Sequence, residues 1–442
     1  MFNEFKLSLF YRIRGLSISP LKLFWQMKDA ESWSKEQFQS HRIERLKKLF
    51  SIANMEVKYY RNDLPDDIDH VNLVEKMENL PIVSREKMDE NREDFLNQKL
   101  QKFYINTTSG STGYPFKVLV SLKAKCLRIA SLHYFLSWWG VNLGDKHVYV
   151  WGNTERNKFS KSIASYFKNW LQSRMYINVF EINENNINSI LKSISGFKPK
   201  YMRGYVSAFV EIANIIKKKK IIFKNDFCVV IVVTAEVLFD EQKELIETVF
   251  GCKVANEYGS SEVGIIGFEC PKGSVHLNEY CNYVRTNKNN NVLITDLFNY
   301  KMPIINYFNK DRLEISEKKC SCGRSTKIIS SIQGRITDYI VREDGIKVSS
   351  FVLNFIIMEI NNSEQYENSI KQFKFVQKNS ELIAEIVAND NYTSDVDAII
   401  IQLVKLNICP DVKVKIIQKE FIPREKSGKL LFFKRVEEES VI

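Results

Sequence analysis

The chain has 442 residues, 44% hydrophobic and 12% aromatic, enough for two or three packed units and too apolar for a disordered chain. Its 64 Lys and Arg against 53 Asp and Glu give a formal charge of +11, which fits anionic ligands such as nucleotides, CoA or an acidic metabolite. No Arg-rich helix or aromatic platform marks nucleic-acid binding, and no apolar run reaches the roughly 18–20 residues that cross a bilayer.

Taken in chain order, Phe5–Met27 is aromatic and basic. A helix packed on the main body is the expectation there, and contact with an anionic membrane surface the alternative. No secretory signal with a small-residue cleavage site opens the sequence, so a cytoplasmic setting is expected. A helical region spans about Lys22 to Arg92, and the apolar Phe103–Ile105 then runs into Thr107–Pro115, which reads TTSGSTGYP. In isolation such a run is either a surface turn or a loop that wraps phosphate oxygens. Gly110 and Gly113 permit positive φ, and Thr107, Thr108, Ser109, Ser111 and Thr112 supply hydroxyl donors. The Gly-Lys-Ser/Thr ending of a Walker loop is missing.

Strand-like stretches at Lys146–Trp151, Lys200–Arg203 and Cys228–Thr234 alternate with helix-like ones at Phe159–Ser173, Ile187–Ser195, Ser207–Lys219 and Asp240–Phe250. That alternation predicts an α/β body with a largely parallel sheet. Shorter strands between Ile294 and Ser316 predict a β-rich subdomain. Beyond Arg335, strands at Gln372–Gln377, Glu381–Ala388 and Val412–Ile417 surround helices at Ser349–Ile360 and Asp395–Leu406, a small mobile α+β lid. The expected boundaries are 1–334 for the body and 335–442 for the lid.

Among the eight cysteines, Cys320-Ser321-Cys322-Gly323 forms a tight pair, with Cys270, His276 and Cys281 upstream. Thiolates with one imidazole, and glycine beside the knuckle, suit tetrahedral zinc. The expected ligands are Cys270, His276, Cys320 and Cys322, with Cys281 as the substitute for His276. Free thiols are the alternative, and a disulfide is disfavoured without a secretory signal. A closed site of this kind is structural, since it leaves no open coordination position.

Three further patterns follow the hydroxyl-rich loop in fixed order: Asn256-Glu257-Tyr258-Gly259-Ser260-Ser261-Glu262, Gly334-Arg335-Ile336-Thr337-Asp338, and Pro423-Arg424-Glu425-Lys426-Ser427-Gly428-Lys429. Together with Leu80–Arg85 and Thr234-Ala235-Glu236 they resemble the adenylate-forming, or AMP-binding, superfamily, nearest the branch of phenylacetate–CoA ligases and capsular polysaccharide biosynthesis proteins. The resemblance spans nearly the whole chain. It implies ATP-dependent activation of a small carboxylic acid through an acyl-adenylate, then transfer to CoA or another acceptor.

By that resemblance Thr107–Gly113 grips phosphate, and Ala235, Glu236, Gly259 and Ser261 line the nucleotide site. Tyr258 offers a ring on which adenine could stack. Glu262 is the expected Mg²⁺ ligand, since hard cations prefer carboxylate oxygen. Arg335 and Asp311 hydrogen-bond the ribose, and Lys429 bridges carboxylate and α-phosphate in the transition state. Two departures stand out. Many relatives read Thr-Gly-Asp where this chain has Asn309-Lys310-Asp311, and Thr337 occupies the hinge position where aspartate or lysine is common. They keep open a second reading, a nucleotide-binding accessory protein of a polysaccharide assembly system with weakened catalysis. Trp138, Trp139, Tyr205 and Phe209 are candidates for an acyl pocket or for plain core. The sequence leaves the oligomeric state open, a homodimer included.

Overall fold

The computed structural model describes residues 2–107, 116–152, 163–335, 339–367, 369–425 and 428–436. They form two units, Met1–Ile332 and Gln333–Ile442.

The first unit opens with helices α1 (Phe2–Ile13), α2 (Pro20–Asp29), α3 (Lys35–Glu56), α4 (Leu73–Asn79) and α5 (Arg85–Glu90). Their starts are written in the sequence. Ser19 caps α2 ahead of Pro20. Ser34 and Gln37 exchange side-chain and backbone hydrogen bonds at the start of α3, at 3.3 and 2.8 Å. Strands β1 (Phe103–Thr107) and β2 (Lys117–Ser121) pair antiparallel, with Thr107 opposite Lys117 at the closing end. Ser121 then caps α6 (Leu122–Ser137).

From here strands and helices alternate: β3 (His147–Trp151), α7 (Ile163–Leu171), β4 (Arg174–Asn178), α8 (Ile187–Phe197), β5 (Tyr201–Tyr205), α9 (Val206–Lys218), β6 (Val230–Thr234), α10 (Asp240–Phe250) and β7 (Lys253–Ser260). β8 (Gly264–Glu269), β9 (Val275–Leu277), β10 (Asn282–Thr286), β11 (Asn291–Asp296), β12 (Tyr307–Ser316) and β13 (Ile328–Arg335) follow. Among the described residues these strands make one sheet of eleven, in the order β10-β11-β12-β13-β9-β8-β7-β6-β5-β3-β4. Strands β3 to β7 run parallel, and the β-rich part joins them through the antiparallel β7–β8 pair.

β6 reads Val-Ile-Val-Val-Thr and is buried at every position, as a strand covered on both faces must be. One face, with Val148, Met202, Ile231 and Val233, packs against Phe209 and Ile212 of α9 and Ile246 and Phe250 of α10. The other, with Val230, Val232 and Ala255, joins a core that includes Leu127 and Phe135 of α6 and Leu46, Leu49 and Phe50 of α3.

The second unit holds the hairpin β14 (Tyr339–Val341) and β15 (Lys347–Ser349), then α11 (Phe351–Asn362), β16 (Ile370–Lys378), β17 (Glu381–Ala388), α12 (Ser394–Asn407), β18 (Lys413–Gln418) and β19 (Phe433–Val436). Its four-stranded sheet runs β18-β17-β16-β19. Ile356 and Ile360 of α11 and Val396, Ile400 and Val404 of α12 share a core with Phe375, Leu382 and Ile386 of the sheet.

Candidate active site and metal centre

In an open α/β sheet, ligands bind beyond the carboxyl ends of the parallel strands. Register brings Tyr205, Thr234 and Glu257 side by side at that end of β5, β6 and β7. Arg203 of β5 donates two hydrogen bonds to the buried Glu257 carboxylate, at 2.8 and 2.5 Å, and the Thr234 hydroxyl donates a third at 3.1 Å. The Arg203 guanidinium lies 5.5 Å from the rings of both Tyr149 and Trp151. Ala235, the first residue after β6, turns the chain with φ of 69°. Glu236 follows, and its carboxylate accepts from the Ser207 N–H at 2.7 Å and the Ser207 hydroxyl at 3.0 Å, at the start of α9.

One residue beyond Glu257, the Tyr258 hydroxyl donates to Asp311 at 2.7 Å. The Asn309 side-chain amide donates to the Tyr258 oxygen at 3.0 Å and to Asp311 at 2.8 Å, and its carbonyl accepts from the Asp311 N–H at 3.1 Å. Lys310 between them has φ of 67°, the backbone shape that glycine adopts at no steric cost. Asn309-Lys310-Asp311 therefore keeps a turn that glycine would allow, and the Asn309 amide holds Asp311 in place. The Lys310 ammonium pairs with Glu86 of α5.

β7 bulges between Tyr258 and Gly259. A side-chain carbon at Gly259 would meet the Gly264 carbonyl oxygen at 2.7 Å, so the chain can reverse here only on glycine. The following Ser261–Glu262 segment is tied down twice. Asn106 of β1 and Arg128 of α6 each donate to the Ser261 carbonyl at 3.2 Å. Arg128 also donates to the Glu262 carbonyl and, at 3.0 Å, to the buried Asp296. The half-buried Glu262 carboxylate has no hydrogen-bond partner among the described residues.

Tyr258, Gly259, Ser261, Glu262 and Asp311 are thus brought together, with Thr107 one residue from the Asn106 contact. Thr108, Ser109, Gly110, Ser111, Thr112 and Gly113, and the hinge residues Thr337 and Asp338, lie outside the described residues. Arg335 is the last residue of β13. Lys429 belongs to the second unit. There Gly428, with φ of 89°, donates to the Glu425 carbonyl at 2.7 Å, and the Glu425 N–H donates to the Lys429 carbonyl at 2.9 Å. Arg203, Arg128, Asn106 and Asn309 were not among the sequence candidates. Of the proposed pocket aromatics, Phe209 is core, and Tyr205 packs against Trp151 at 4.3 Å between ring centres. Trp139 donates to the Glu269 carbonyl, and Trp138 carries Arg324 over its ring at 4.1 Å.

Trp138 also borders a second site. The ligand atoms of Cys270, His276, Cys320 and Cys322 all lie within 4.8 Å of one another. Cys270 and Cys320 sulfurs are 3.8 Å apart, and the Cys322 sulfur is 3.2 Å from His276 Nε2. Tetrahedral zinc with sulfur at ~2.3 Å sets ligand–ligand edges of about 3.7 Å. His276 Nδ1 meets the Thr326 hydroxyl at 3.0 Å, which leaves Nε2 for a metal. Burial lowers the His276 pKa to about 4, so the ring is neutral. Burial alone would raise the Cys320 thiol, but hydrogen bonds from Ser274, the Cys322 N–H and the neighbouring thiols bring it down to about 7. Cys281 is elsewhere, buried with its sulfur 3.5 Å from the Ser131 hydroxyl.

No family model matches the chain. It is 24% identical over 385 residues to Protein CapK of Staphylococcus aureus, covering 80% of this chain and 84% of CapK. Its structure resembles that of 2-hydroxyisobutyryl-CoA ligase in the postadenylation state with R3-HIB-AMP, at a TM-score of 0.70 and 15% identity over 92% of this chain and 91% of the ligase. Amide bond synthetase McbA from Marinactinospora thermotolerans is similar at a TM-score of 0.50 and 13% identity, over 73% of this chain and 67% of McbA. The chain has the fold of the adenylate-forming ligases, the superfamily its motifs resemble.

Proposed function

We propose that this chain is an ATP-dependent ligase that activates a small carboxylic acid as its acyl-adenylate and passes the acyl group to CoA or another acceptor. The observation that carries this reading is the assembly of Tyr258, Asn309 and Asp311 into one hydrogen-bonded group beside the anchored Ser261–Glu262 segment. Asp311 would receive the ribose hydroxyls and Tyr258 the adenine, with Arg335 as a second ribose contact. Glu262 offers a carboxylate oxygen to magnesium, which supplies charge neutralisation on the phosphates when bound. Ala235 and the hydroxyl-rich loop from Thr107 would contribute backbone and hydroxyl groups to the phosphates. Lys429 would stabilise charge shared between carboxylate and α-phosphate. Glu236 reaches the site through the backbone, since its carboxylate already caps α9.

The motifs' resemblance to capsular polysaccharide biosynthesis proteins favours a role in surface-polysaccharide biosynthesis, for which a cytoplasmic setting is our proposal. Cys270, His276, Cys320 and Cys322 would hold a structural zinc ion away from the reacting groups. The test is pyrophosphate release across aryl acids, short fatty acids and amino acids, with and without CoA. One acid should give turnover, and Lys429→Ala should lower it at least about 100-fold while ATP still binds by calorimetry. Full turnover in that variant would remove lysine from the reaction. ATP binding with no pyrophosphate from any acid would favour the accessory-protein reading instead.

A further inference from the structure

α1 is apolar on two sides. Leu7 and Tyr11 are buried in the core, as expected of a helix packed on the body. On the opposite side Phe2, Phe5, Leu9 and Ile13 are 67, 64, 37 and 61% exposed. They recur at intervals of three and four residues, the spacing of one helix face. A surface helix that has already buried one stripe normally turns a polar face outward. α1 also lies close against the turn at Gly144, where a side-chain carbon would sit 2.5 Å from the Asn3 carbonyl oxygen.

α7 extends the same surface. Lys6 of α1 donates to the Ser173 hydroxyl at 3.0 Å, and its ammonium lies 5.4 Å from the Phe2 ring and 5.1 Å from the Trp170 ring. Tyr166, Phe167 and Trp170 of α7 are 77, 49 and 46% exposed, with the last two rings stacked at 5.8 Å. Lys6 is itself buried; the charged side chains left on the two helices are the exposed Arg12 and the half-buried Lys168 against the half-buried Glu4 alone, and the exposed Arg14 follows α1.

We propose that this face seats the protein on an anionic lipid bilayer, with the apolar side chains at the headgroup–acyl boundary and Arg12 and Arg14 on lipid phosphates. Tyr and Trp with polar edges, an apolar stripe and a basic flank are the chemistry that such an interface accepts. Charge selects this occupant over a second copy of the chain, because a symmetric contact would press like-charged faces of a +11 protein together. No described helix is long and apolar enough to cross a membrane, so attachment is to one leaflet. The attachment is independent of the catalytic reading, since neither helix supplies a residue to the adenylation site.

Cosedimentation of the full chain with phosphatidylglycerol-containing vesicles, against pure phosphatidylcholine vesicles, tests this. The chain should bind the anionic vesicles at least roughly tenfold more tightly, and less so at high salt. The combined variant Phe5→Ser, Leu9→Ser, Ile13→Ser removes only outward groups and should lose binding roughly tenfold or more with an unchanged thermal melt. Arg12→Glu with Arg14→Glu should remove the preference for anionic lipid. Failure of the native chain to sediment with either vesicle, or full binding by the serine variant, overturns the proposal. So does a dimer in sedimentation velocity that the serine variant abolishes while vesicles bind nothing.

Discussion

Ala235 and Lys310 are L-residues held at φ of 69° and 67°, and both border the candidate nucleotide site. Left-handed backbone costs such residues about 1–2 kcal/mol, while glycine there loses roughly 0.4–1 kcal/mol through its looser unfolded chain. Ala235→Gly should therefore raise stability by about 0.5–1 kcal/mol, read as a later midpoint in urea unfolding. An earlier midpoint would mean that the alanine methyl packs usefully despite its exposure. Lys310→Gly is a weaker probe, because it also removes the half-exposed pair with Glu86, itself worth under about 1 kcal/mol. Tyr258, Asp311 and Glu262 were proposed from short motifs, and the fold brings the segments that carry them together. Arg128 could not be proposed that way: its acceptors on Ser261 and Glu262 lie 133 and 134 residues away, and a lone arginine in a helix with no exposed face carries no local sign of such a partner.

At the scale of elements, the helices and parallel strands of the body declared themselves through periodicity, and Asp240–Phe250 was delimited by its acidic start and by Gly251 at φ of 62°. β4 was missed. Its sequence Arg-Met-Tyr-Ile-Asn lies at the sheet edge, mostly half-buried, so nothing forces alternation between apolar and polar positions. The cysteine–histidine group was legible because its chemistry is scarce in this chain, and the structure separates Cys281 from the other three cysteines. The knuckle at Cys320–Gly323 leads into Arg324, which pairs with Glu31, and Ser325, whose hydroxyl donates to the Trp33 carbonyl at 2.6 Å. A metal there would fasten β8, β9 and this connection to the N-terminal helices. Purified protein should carry about one zinc per chain, and chelation or Cys322→Ser should lower the melting temperature by roughly 5 °C or more. Metal analysis finding none, with a melt indifferent to chelator, would leave four free side chains and no clip.

Across the whole molecule, stability should depend on pH through histidines that the fold keeps neutral. Burial lowers the His133 pKa to about 4, with its Nε2 2.8 Å from the Tyr11 hydroxyl. Burial lowers His147 to about 3; the Asp145 carbonyl opposes this, and the charges of Arg174 and Arg203 reinforce it. His147 also stacks on Tyr201 at 4.9 Å. Both side chains join the first unit's N-terminal helices and edge strands to its core, so their protonation bears on the unit's integrity. The sign follows from linkage. Above pH 6.5 neither folded nor unfolded histidine binds a proton, and the full stability is present. Below it the unfolded chain takes up protons that the folded chain refuses until pH approaches 4, so stability is lost as pH falls through that window. His133 and His147 together give at most about 3 kcal/mol per pH unit, and His41 and His276, whose pKa values burial also lowers, add to the same slope, so a loss on the order of 2 kcal/mol or more between pH 7 and pH 5 is expected. Carboxylates with lowered pKa values, such as Glu86 and Glu247, lose their contribution only below about pH 4.5, outside this interval. Urea unfolding at pH 7, 6 and 5 should show the decline, and His133→Gln with His147→Gln should make it shallower, with His41 and His276 supplying the remainder. A native protein equally stable at pH 7 and 5 would mean that these rings reach water and protonate freely in the folded state.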